Sequence, residues 1–599
     1  MNPVLINDAP NMPRRDYPRP QWMRSEWMSL NGKWDFAFDF GNSGKSRGMV
    51  TAGEYPMEIL VPFCPESKLS GIGYIDFIPA VWYRRTFTLD NLPEGRVLLH
   101  FGAVDYLSEV FVNGKSVGVH KGGYSSFTHD ITDTLCEGEN VIVVNAQDDM
   151  RSGRQPYGKQ CEEYKSRACS YTRTTGIWQT VWMEFVPGKY LVRSKMIPHA
   201  MDGALDIQIT GCNITPGDYV RLTARYDGRE VGTAKATFAG HLAGSYVSVS
   251  EKHFWNVGAP ELYDLTLELI DGKTDAVIDT VESYFGLRDV AMNERALTIN
   301  QKPVFMRLIL DQGFNPDGIY TFPDDEYLRH DIELMLDLGF NGARLHQRVF
   351  EERTLYWADK LGYMVWGEYA NGNTVANAQF FEDFMPEWFE VMERDFNHPA
   401  LVGWCPLNET YHAMELDIET HRLMYSMIKL YDPTRPCIDA SGGMHYDTDM
   451  FDVHDYEQDP ETYRKYFASM ADDPMACHVP INRYVGNKPR RPIEYKGQPY
   501  WVSEYGGTFW NPAVSKTSDK AWGYGNAPRT EEEFADRYAG LTKVLLEHPR
   551  ICGFCYTQLT DVEQEQNGLF FYDRSRKLPD WVYDRIREAN KMVAAVEKE

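Results

Sequence analysis

The sequence lacks any apolar run close to the roughly 18 residues that a membrane-spanning helix requires. Its first twenty residues also lack the order of a basic segment, an apolar segment and small residues that marks a signal peptide. Neither a membrane anchor nor an export signal is therefore expected. These absences predict a cytoplasmic protein.

Positive charge is scarce: 61 Lys and Arg residues stand against 87 Asp and Glu residues, and the formal net charge is -26. A strongly acidic surface repels the phosphates of nucleic acids and of anionic lipids. We therefore expect no nucleic-acid partner and no membrane partner. A small neutral molecule is the expected ligand.

Cysteine is also too scattered to form a framework. The ten cysteines follow no regular spacing, and the one CxxC motif, Cys552 to Cys555, stands alone inside an apparent strand. Neither a disulfide scaffold nor a structural zinc site is supported by this pattern. No other cluster of ligand residues demands an ion, so we predict neither a metal nor a cofactor.

The first half of the chain has the pattern of β domains. Residues 1–188 contain short alternating runs with turn signals such as Asn113-Gly114, which predict an all-β domain. Residues 189–286 continue this pattern with the turns Asp227-Gly228 and Asp271-Gly272. The length of this second segment suits a small immunoglobulin-like β-sandwich.

Residues 287–599 instead alternate helical patterns with short apolar strands. In one unit, Asp324 and Asp325 cap a helix whose apolar residues share one face, Gly339 ends it, and FNGARLH follows as a strand. The successive strand candidates are VFMRLIL, NGARLH, YMVWGE, LVGWCPLNE, CIDASGG, FDVHDY, YWVSEYGG and ICGFCYTQLTD. Eight such units predict a C-terminal (β/α)8 TIM barrel.

Polar side chains cluster where these strands end, and in such barrels that face carries the active site. The residues concerned are Asp311, His346, Glu368, Asn408, Glu409, His454, Tyr456 and Glu504. Glu409 follows the fourth strand and Glu504 ends the seventh, which places two carboxylates across one barrel mouth. A retaining glycosidase needs such a pair about 5 Å apart, one acid protonated and the other ionised.

The segments NHPALVGWCPLNE and SEYGG resemble glycoside hydrolase family 2, which contains β-galactosidases, β-glucuronidases and β-mannosidases. The segments LNGKWDF, VWYRRTF, GGYSSF and GIWQTVW resemble the jelly-roll sugar-binding domain of the same family. The resemblance covers nearly the whole chain. It implies a jelly-roll, an immunoglobulin-like sandwich and a barrel in that order, and homo-oligomers are common in the family.

The resemblance also implies roles for individual residues. Glu409 is expected to be the general acid/base, Glu504 the nucleophile, and Asn408 the ligand of the sugar's 2-hydroxyl. His346 resembles the family's substrate histidine, and His454 and Tyr456 occupy the position where related barrels keep the nucleophile ionised. Three further residues of the mouth are expected to contact substrate: Asp311, Glu368, and Tyr556 in place of the family's usual tryptophan.

The choice of sugar rests on the loop after the eighth strand. β-Glucuronidases of the family carry Asn-x-Lys there, with an arginine four residues before the asparagine, whereas this chain has Glu563 and then Asn567-Gly568-Leu569. Because a buried uronate needs a cation, the loop predicts a neutral sugar and a β-galactosidase acting on a small oligosaccharide or β-glycoside. A β-glucuronidase, a β-mannosidase, an exo-β-glucosaminidase and a non-catalytic carbohydrate-binding protein are the alternatives.

Overall fold

The structure is a computed structural model that describes residues 12–372, 378–410, 415–479, 484–485, 488–489, 495–513 and 521–598. Antiparallel sheets occupy the chain up to Phe285, and parallel strands alternate with helices from Met306 onwards. This order confirms the predicted fold class. In the described part of the chain, no helix has both the length and the hydropathy that a membrane span requires.

Two antiparallel sheets form the N-terminal part and bury a core that includes Trp34, Phe36 and Val144. The predicted hairpin at Asn113-Gly114 is present, with φ of 50° and 78° at the two turn residues. In spatial order, the larger sheet contains Met57–Val61, Gly32–Phe38, Ala80–Leu89, Gly138–Gln147, Leu107–Val112 and Lys115–Lys121. The smaller sheet contains Trp27–Ser29, Val181–Val186, Arg96–Phe101 and Phe127–Asp130, and a short pair joins Val104–Asp105 to Gly176–Ile177.

Seven antiparallel strands form the next part around a core that includes Leu205, Leu222 and Val247. In spatial order they are Tyr190–His199, Ala204–Cys212, Leu242–Ser248, Arg229–Ala239, Tyr219–Tyr226, Tyr263–Ile270 and Val277–Phe285. The ladder curls until its first and last strands meet, because the Leu191 amide donates a hydrogen bond of 2.8 Å to Asp279 Oδ2. The result is the expected sandwich.

The barrel strands are β1 Met306–Asp311, β2 Gly342–Leu345, β3 Met364–Glu368, β4 Leu401–Cys405, β5 Ala440–Ser441, β6 Phe451–Asp455, β7 Tyr500–Gly506 and β8 Ile551–Thr557. All pair in parallel, in the order β4-β3-β2-β1-β8-β7-β6, and β5 pairs with a short extension of β4 at Leu407–Asn408. A small antiparallel sheet of Val290–Met292, Leu297–Ile299 and Lys302–Val304 precedes them, and Tyr484–Val485 pairs with Lys488–Pro489.

The helices that follow the barrel strands are α1 Asp325–Asp337, α2 Glu352–Leu361, α3 Ala378–Asp395, α4 Glu415–Tyr431, α5 Pro460–Asp472, α6 Glu531–Glu547 and α7 Asp580–Asn590. The sequence signals of α1 act as expected. Asp324 Oδ1 accepts a hydrogen bond of 2.9 Å from the Tyr327 amide at the helix start. Gly339, with φ of 82°, lets the chain turn away after the helix end.

The N-terminal sheets are fixed against the barrel face where the strands end. Glu387 of α3 accepts hydrogen bonds from the amides of Tyr124 and Ser125, at 2.5 and 3.2 Å. Farther along, the Gly158 amide donates to the Ala370 carbonyl at 3.0 Å. Gly158 has φ of 57°, and a Cβ there would collide with the Gln347 carbonyl oxygen. These contacts bring the segment 155–172 onto the barrel mouth.

Candidate active site

Glu504 lies at the floor of the site near the end of β7, and only 5% of its side chain is exposed. Arg344 Nη1 donates to Glu504 Oε1 at 3.1 Å, and the Tyr456 hydroxyl donates to Glu504 Oε2. These two hydrogen bonds, one of them charge-assisted, hold the carboxylate in one orientation. A fixed orientation is a requirement for a nucleophile.

Glu409 follows the Leu407–Asn408 extension of β4 and is more open, with 41% of its side chain exposed. Its φ is 49°, in the left-handed region that non-glycine residues seldom adopt. The Glu409 amide donates to the Ser441 carbonyl of β5 at 2.8 Å, which holds this conformation. Glu409 therefore faces the solvent side of the mouth, where a leaving group departs.

His454, near the end of β6, bridges the two acids. Its Nδ1 lies 2.8 Å from Glu409 Oε1 and 3.3 Å from Glu504 Oε2. One oxygen of each acid and one ring nitrogen of His454 all lie within 4.8 Å of one another. The spacing matches the roughly 5 Å of a retaining pair and is too short for the water that an inverting pair must admit.

The contacts of His454 also shift the pKa values of Glu409 and of His454 itself. Burial opposes the ionised form of Glu409, but the hydrogen bond and charge of His454 lower the Glu409 pKa to about 2. Burial likewise opposes a charged His454, yet Glu504 and Glu409 raise its pKa. Both shifts favour a proton on the imidazole over a proton on Glu409.

Glu409, His454 and Glu504 also form the one group, within the residues described above, whose geometry could hold a metal ion. An ion there would occupy the carboxylate lone pairs that the predicted roles of Glu504 and Glu409 require. The chemistry of the pair therefore does not favour a metal. The absence of a metal and of a cofactor stays a prediction.

Arg344 of β2 joins several parts of the site. Besides Glu504 it binds Glu368 Oε1 at 2.5 Å through Nε and Asn408 Oδ1 at 3.0 Å through Nη2. Glu368 Oε2 accepts from His346 Nδ1 and from the Gln347 amide, each at 3.0 Å. Since both Glu368 oxygens are engaged, Glu368 positions Arg344 and His346 and does not contact substrate as the sequence predicted.

Asn408 and His346 keep one group each for a ligand. Because Asn408 Oδ1 accepts from Arg344, its amide N–H groups are the part that remains for a sugar hydroxyl. Burial lowers the pKa of His346, so its ring is neutral. With Nδ1 donating to Glu368, His346 Nε2 is an acceptor and lies 3.8 Å from Glu504 Oε1. The substrate contacts expected for Asn408 and His346 stay predictions.

Two residues predicted for substrate contact lie elsewhere. Asp311 Oδ1 accepts from the Gly313 amide at 2.8 Å, and burial next to Asp331 raises the Asp311 pKa to about 6, away from the acid pair. Tyr556 lies between the rings of Tyr505 and Tyr538, at 5.4 and 4.9 Å, behind the barrel wall. Tyr538 belongs to α6, so the residue at this position of β8 faces the helix layer.

The loop after β8 also differs from the sequence-based interpretation. Glu563 Oε1 accepts from the Thr172 amide at 3.0 Å and so ties the loop to the N-terminal part. The loop acid that interacts with Glu504 is Glu565, which accepts from Asn567 Nδ2 at 3.0 Å and from the Tyr171 hydroxyl. Burial raises the Glu565 pKa to about 7. Asn567 thus contributes to the site by holding Glu565 in position.

Sequence reasoning missed two residues of the mouth. Lys159 lies near both catalytic acids: burial lowers its pKa, but Cys169, Glu409, Glu504 and Glu565 together raise it. Its carbonyl accepts from the Tyr171 amide at 2.7 Å.

Tyr524, in the segment 521–526, stacks on Tyr456 with ring centroids 3.3 Å apart. Neither residue belongs to a motif, and a long-range contact such as that of Lys159 leaves no local pattern in the sequence.

Comparison with known families now adds to this geometry. Residues 40–154 match the glycosyl hydrolases family 2 sugar binding domain, residues 203–288 match a further glycosyl hydrolases family 2 domain, and residues 290–577 match the family 2 TIM barrel domain. The chain belongs to glycoside hydrolase family 2. The resemblance drawn from its motifs is thereby confirmed.

Individual relatives differ in the sugar that their names state. The chain is 25% identical over 449 residues to a β-glucuronidase from Bacteroides fragilis, across 69% of this chain and 60% of the relative. It is 23% identical over 468 residues to a β-galactosidase from Leuconostoc mesenteroides, across 69% and 42%. Among the first curated relatives, the chain spans about 40% of their length.

A solved β-galacturonidase from Eisenbergiella tayi, bound to glycerol, has the same fold. It shares 18% identity, with a TM-score of 0.74 over 98% of this chain and 100% of that one. At that identity the likeness concerns the fold alone.

The contact between Tyr456 and Glu504 gives a first prediction. Tyr456→Phe removes one donor to the ionised carboxylate, and we expect kcat on an aryl β-glycoside to fall by about 10²-fold. Steady-state kinetics measures the loss. Tyr505→Phe is the matched control, because the Tyr505 hydroxyl bonds Thr542 at 2.7 Å behind the barrel wall. Equal effects of the two substitutions would contradict the role of Tyr456.

Proposed function

We propose that this family 2 chain is a retaining exo-β-glycosidase, with Glu409 as general acid/base and Glu504 as nucleophile. The observation that carries the proposal is the spacing of the pair: one oxygen of each acid and one ring nitrogen of His454 lie within 4.8 Å of one another. The contrast between a buried Glu504 and an open Glu409 supports the two different roles.

In the first step, a Glu504 oxygen forms a bond to the anomeric carbon while the glycosidic C–O bond breaks. Glu409 gives its proton to the departing oxygen, which leaves as an alcohol. In the second step, Glu409 takes a proton from water, the water oxygen bonds to the anomeric carbon, and Glu504 is released. Asn408 supplies donors for the 2-hydroxyl, a contact that strengthens as positive charge develops on the ring.

The segments around the acid pair favour cleavage at a chain end. Lys159 and Tyr171 come from the N-terminal part, Tyr524 from the segment 521–526, and Glu565 from the loop after β8. The Trp522 amide donates to the Gln564 carbonyl at 2.7 Å, which links two of these segments. Such an enclosure suits one terminal sugar residue better than a long polymer.

The choice of sugar needs a different argument from that drawn from the sequence. A β-galactosidase was expected because the loop after β8 lacks a free cation and places Glu563 near the sugar. Glu563 instead binds the Thr172 amide, and Lys159 supplies a cation from the N-terminal part. The sequence of the loop after β8 therefore no longer favours a neutral sugar over an acidic one.

A non-catalytic carbohydrate-binding protein is the candidate from a different class. It would not require the hydrogen bonds that orient Glu504 or the bridge between the two acids, so this geometry favours the enzyme. The cytoplasmic location and the homo-oligomeric state expected from the sequence stay predictions.

Glu504→Gln tests the proposal most simply, because it removes the nucleophile with little change in shape. Turnover of aryl β-glycosides is expected to fall by at least about 10³-fold, while binding of the sugar product persists. Rates and isothermal titration calorimetry measure the two effects. Glu532→Gln, on the exposed side of α6, is the matched control. Unchanged turnover in Glu504→Gln would contradict the mechanism.

Glu409→Ala separates the acid role from the nucleophile role. Glycosides with poor alkyl leaving groups need a proton, whereas activated aryl leaving groups depart without one. We expect a loss of about 10³-fold or more for the former and a much smaller loss in the first step for the latter. Presteady-state kinetics on both substrates checks this. Equal losses would exclude Glu409 as the general acid.

A further inference from the structure

We propose that Lys159, supplied by the N-terminal part, is the specificity-determining residue of the site and selects a terminal sugar that carries a carboxylate, a β-linked hexuronate. This inference rests on the proposed function and deepens it. It assigns the recognition of an acidic sugar to a segment outside the barrel and replaces the neutral sugar expected from the sequence.

Hydrogen bonds on both sides of Lys159 hold its backbone at the barrel mouth, near the acid pair. Gly158 is bound to the Ala370 carbonyl at 3.0 Å, and the Lys159 carbonyl accepts from Tyr171 at 2.7 Å. Tyr171 in turn donates its hydroxyl to Glu565. The backbone of Lys159 thus lies between the end of β3 and the loop after β8.

Three other cations of the barrel are already paired with carboxylates. Lys577 Nζ lies 2.5 Å from Asp561, and Arg574 Nη2 lies 2.9 Å from Asp331. Arg344 binds both Glu368 and Glu504. By contrast, no carboxylate within the described ranges forms an ion pair of 4.0 Å or less with Lys159, which is partly buried. Lys159 is therefore a cation at the mouth that a ligand can pair.

A partly buried ammonium that has no ion-pair partner within 4.0 Å can gain one from an anionic ligand. Sugar hydroxyls can accept hydrogen bonds from Lys159, but they form no ion pair with it. A sugar amine would add a second positive charge. Of the sugars that family 2 relatives accept by name, a uronate alone supplies an anion, because its carboxylate replaces the hydroxymethyl group.

The acid Glu565 does not oppose the binding of an anionic sugar. Burial raises its pKa to about 7, so a large share of Glu565 is neutral at physiological pH. A carboxylate bound nearby would raise this pKa further, and the protonated acid would then donate a hydrogen bond to it. The Tyr171 hydroxyl and Asn567 Nδ2, which bind the two Glu565 oxygens, keep the acid in place.

The decisive probes are p-nitrophenyl β-glucuronide and β-galacturonide, their methyl esters, and p-nitrophenyl β-galactoside. For the wild-type protein, we expect kcat/KM on at least one free uronide to exceed that on its methyl ester and on the galactoside by about 10²-fold. A preference for the galactoside or for the ester would overturn the role of Lys159 and leave the glycosidase proposal intact. Failure to hydrolyse any aryl β-glycoside would instead contradict the proposed function itself.

Lys159→Met tests the residue, because it keeps the length of the side chain and removes its charge. The preference for the free uronide over its ester should fall by about 10²-fold, chiefly through a higher KM for the free uronide. Lys165→Met, an exposed lysine of the same segment, is the matched control and should retain the preference. Equal losses on acid and ester in Lys159→Met would contradict the proposal.

Discussion

The buried guanidinium of Arg344 is the interaction on which the rest of the site depends. It binds Glu504, Glu368 and Asn408 at once, and 1% of its side chain is exposed. Burying a carboxylate as deeply as that of Glu504 is costly unless a cation and hydrogen-bond donors contact it. The planar donor fork of arginine compensates this cost and fixes geometry at the same time. Strands β2, β3, β4 and β7 are thereby joined by one charge network.

Around this fixed floor, the movable element is a proton. His454 lies 2.8 Å from Glu409, and this contact lowers the pKa of Glu409 and raises that of His454. In the proposed mechanism, Glu409 must carry the proton when the glycosidic oxygen departs. The arrangement keeps the acid/base ready without a permanently protonated carboxyl group. It also explains why a histidine, and not only Tyr456, lies beside the nucleophile.

Much of this could be predicted from the sequence. The apolar periodicity and caps of the βα units are local, so strands, helices and the residues at strand ends such as Glu409, Glu504 and Tyr456 followed from them. The structure does not place Asp311 and Tyr556 as predicted, because a strand end alone does not decide which way a side chain points. Lys159 was not predicted, because its position depends on the packing of the N-terminal sheets against the barrel, which no local pattern encodes.

The central claim is a covalent bond between the sugar and Glu504, and trapping that intermediate tests it most directly. The protein would be incubated with 2-deoxy-2-fluoro-β-glycosyl fluorides of glucuronic acid, galacturonic acid and galactose, then analysed by intact mass and peptide mapping. The account predicts one stoichiometric adduct on the peptide that contains Glu504, and retention of anomeric configuration by proton NMR. An adduct on another residue, or a product of inverted configuration, would contradict it.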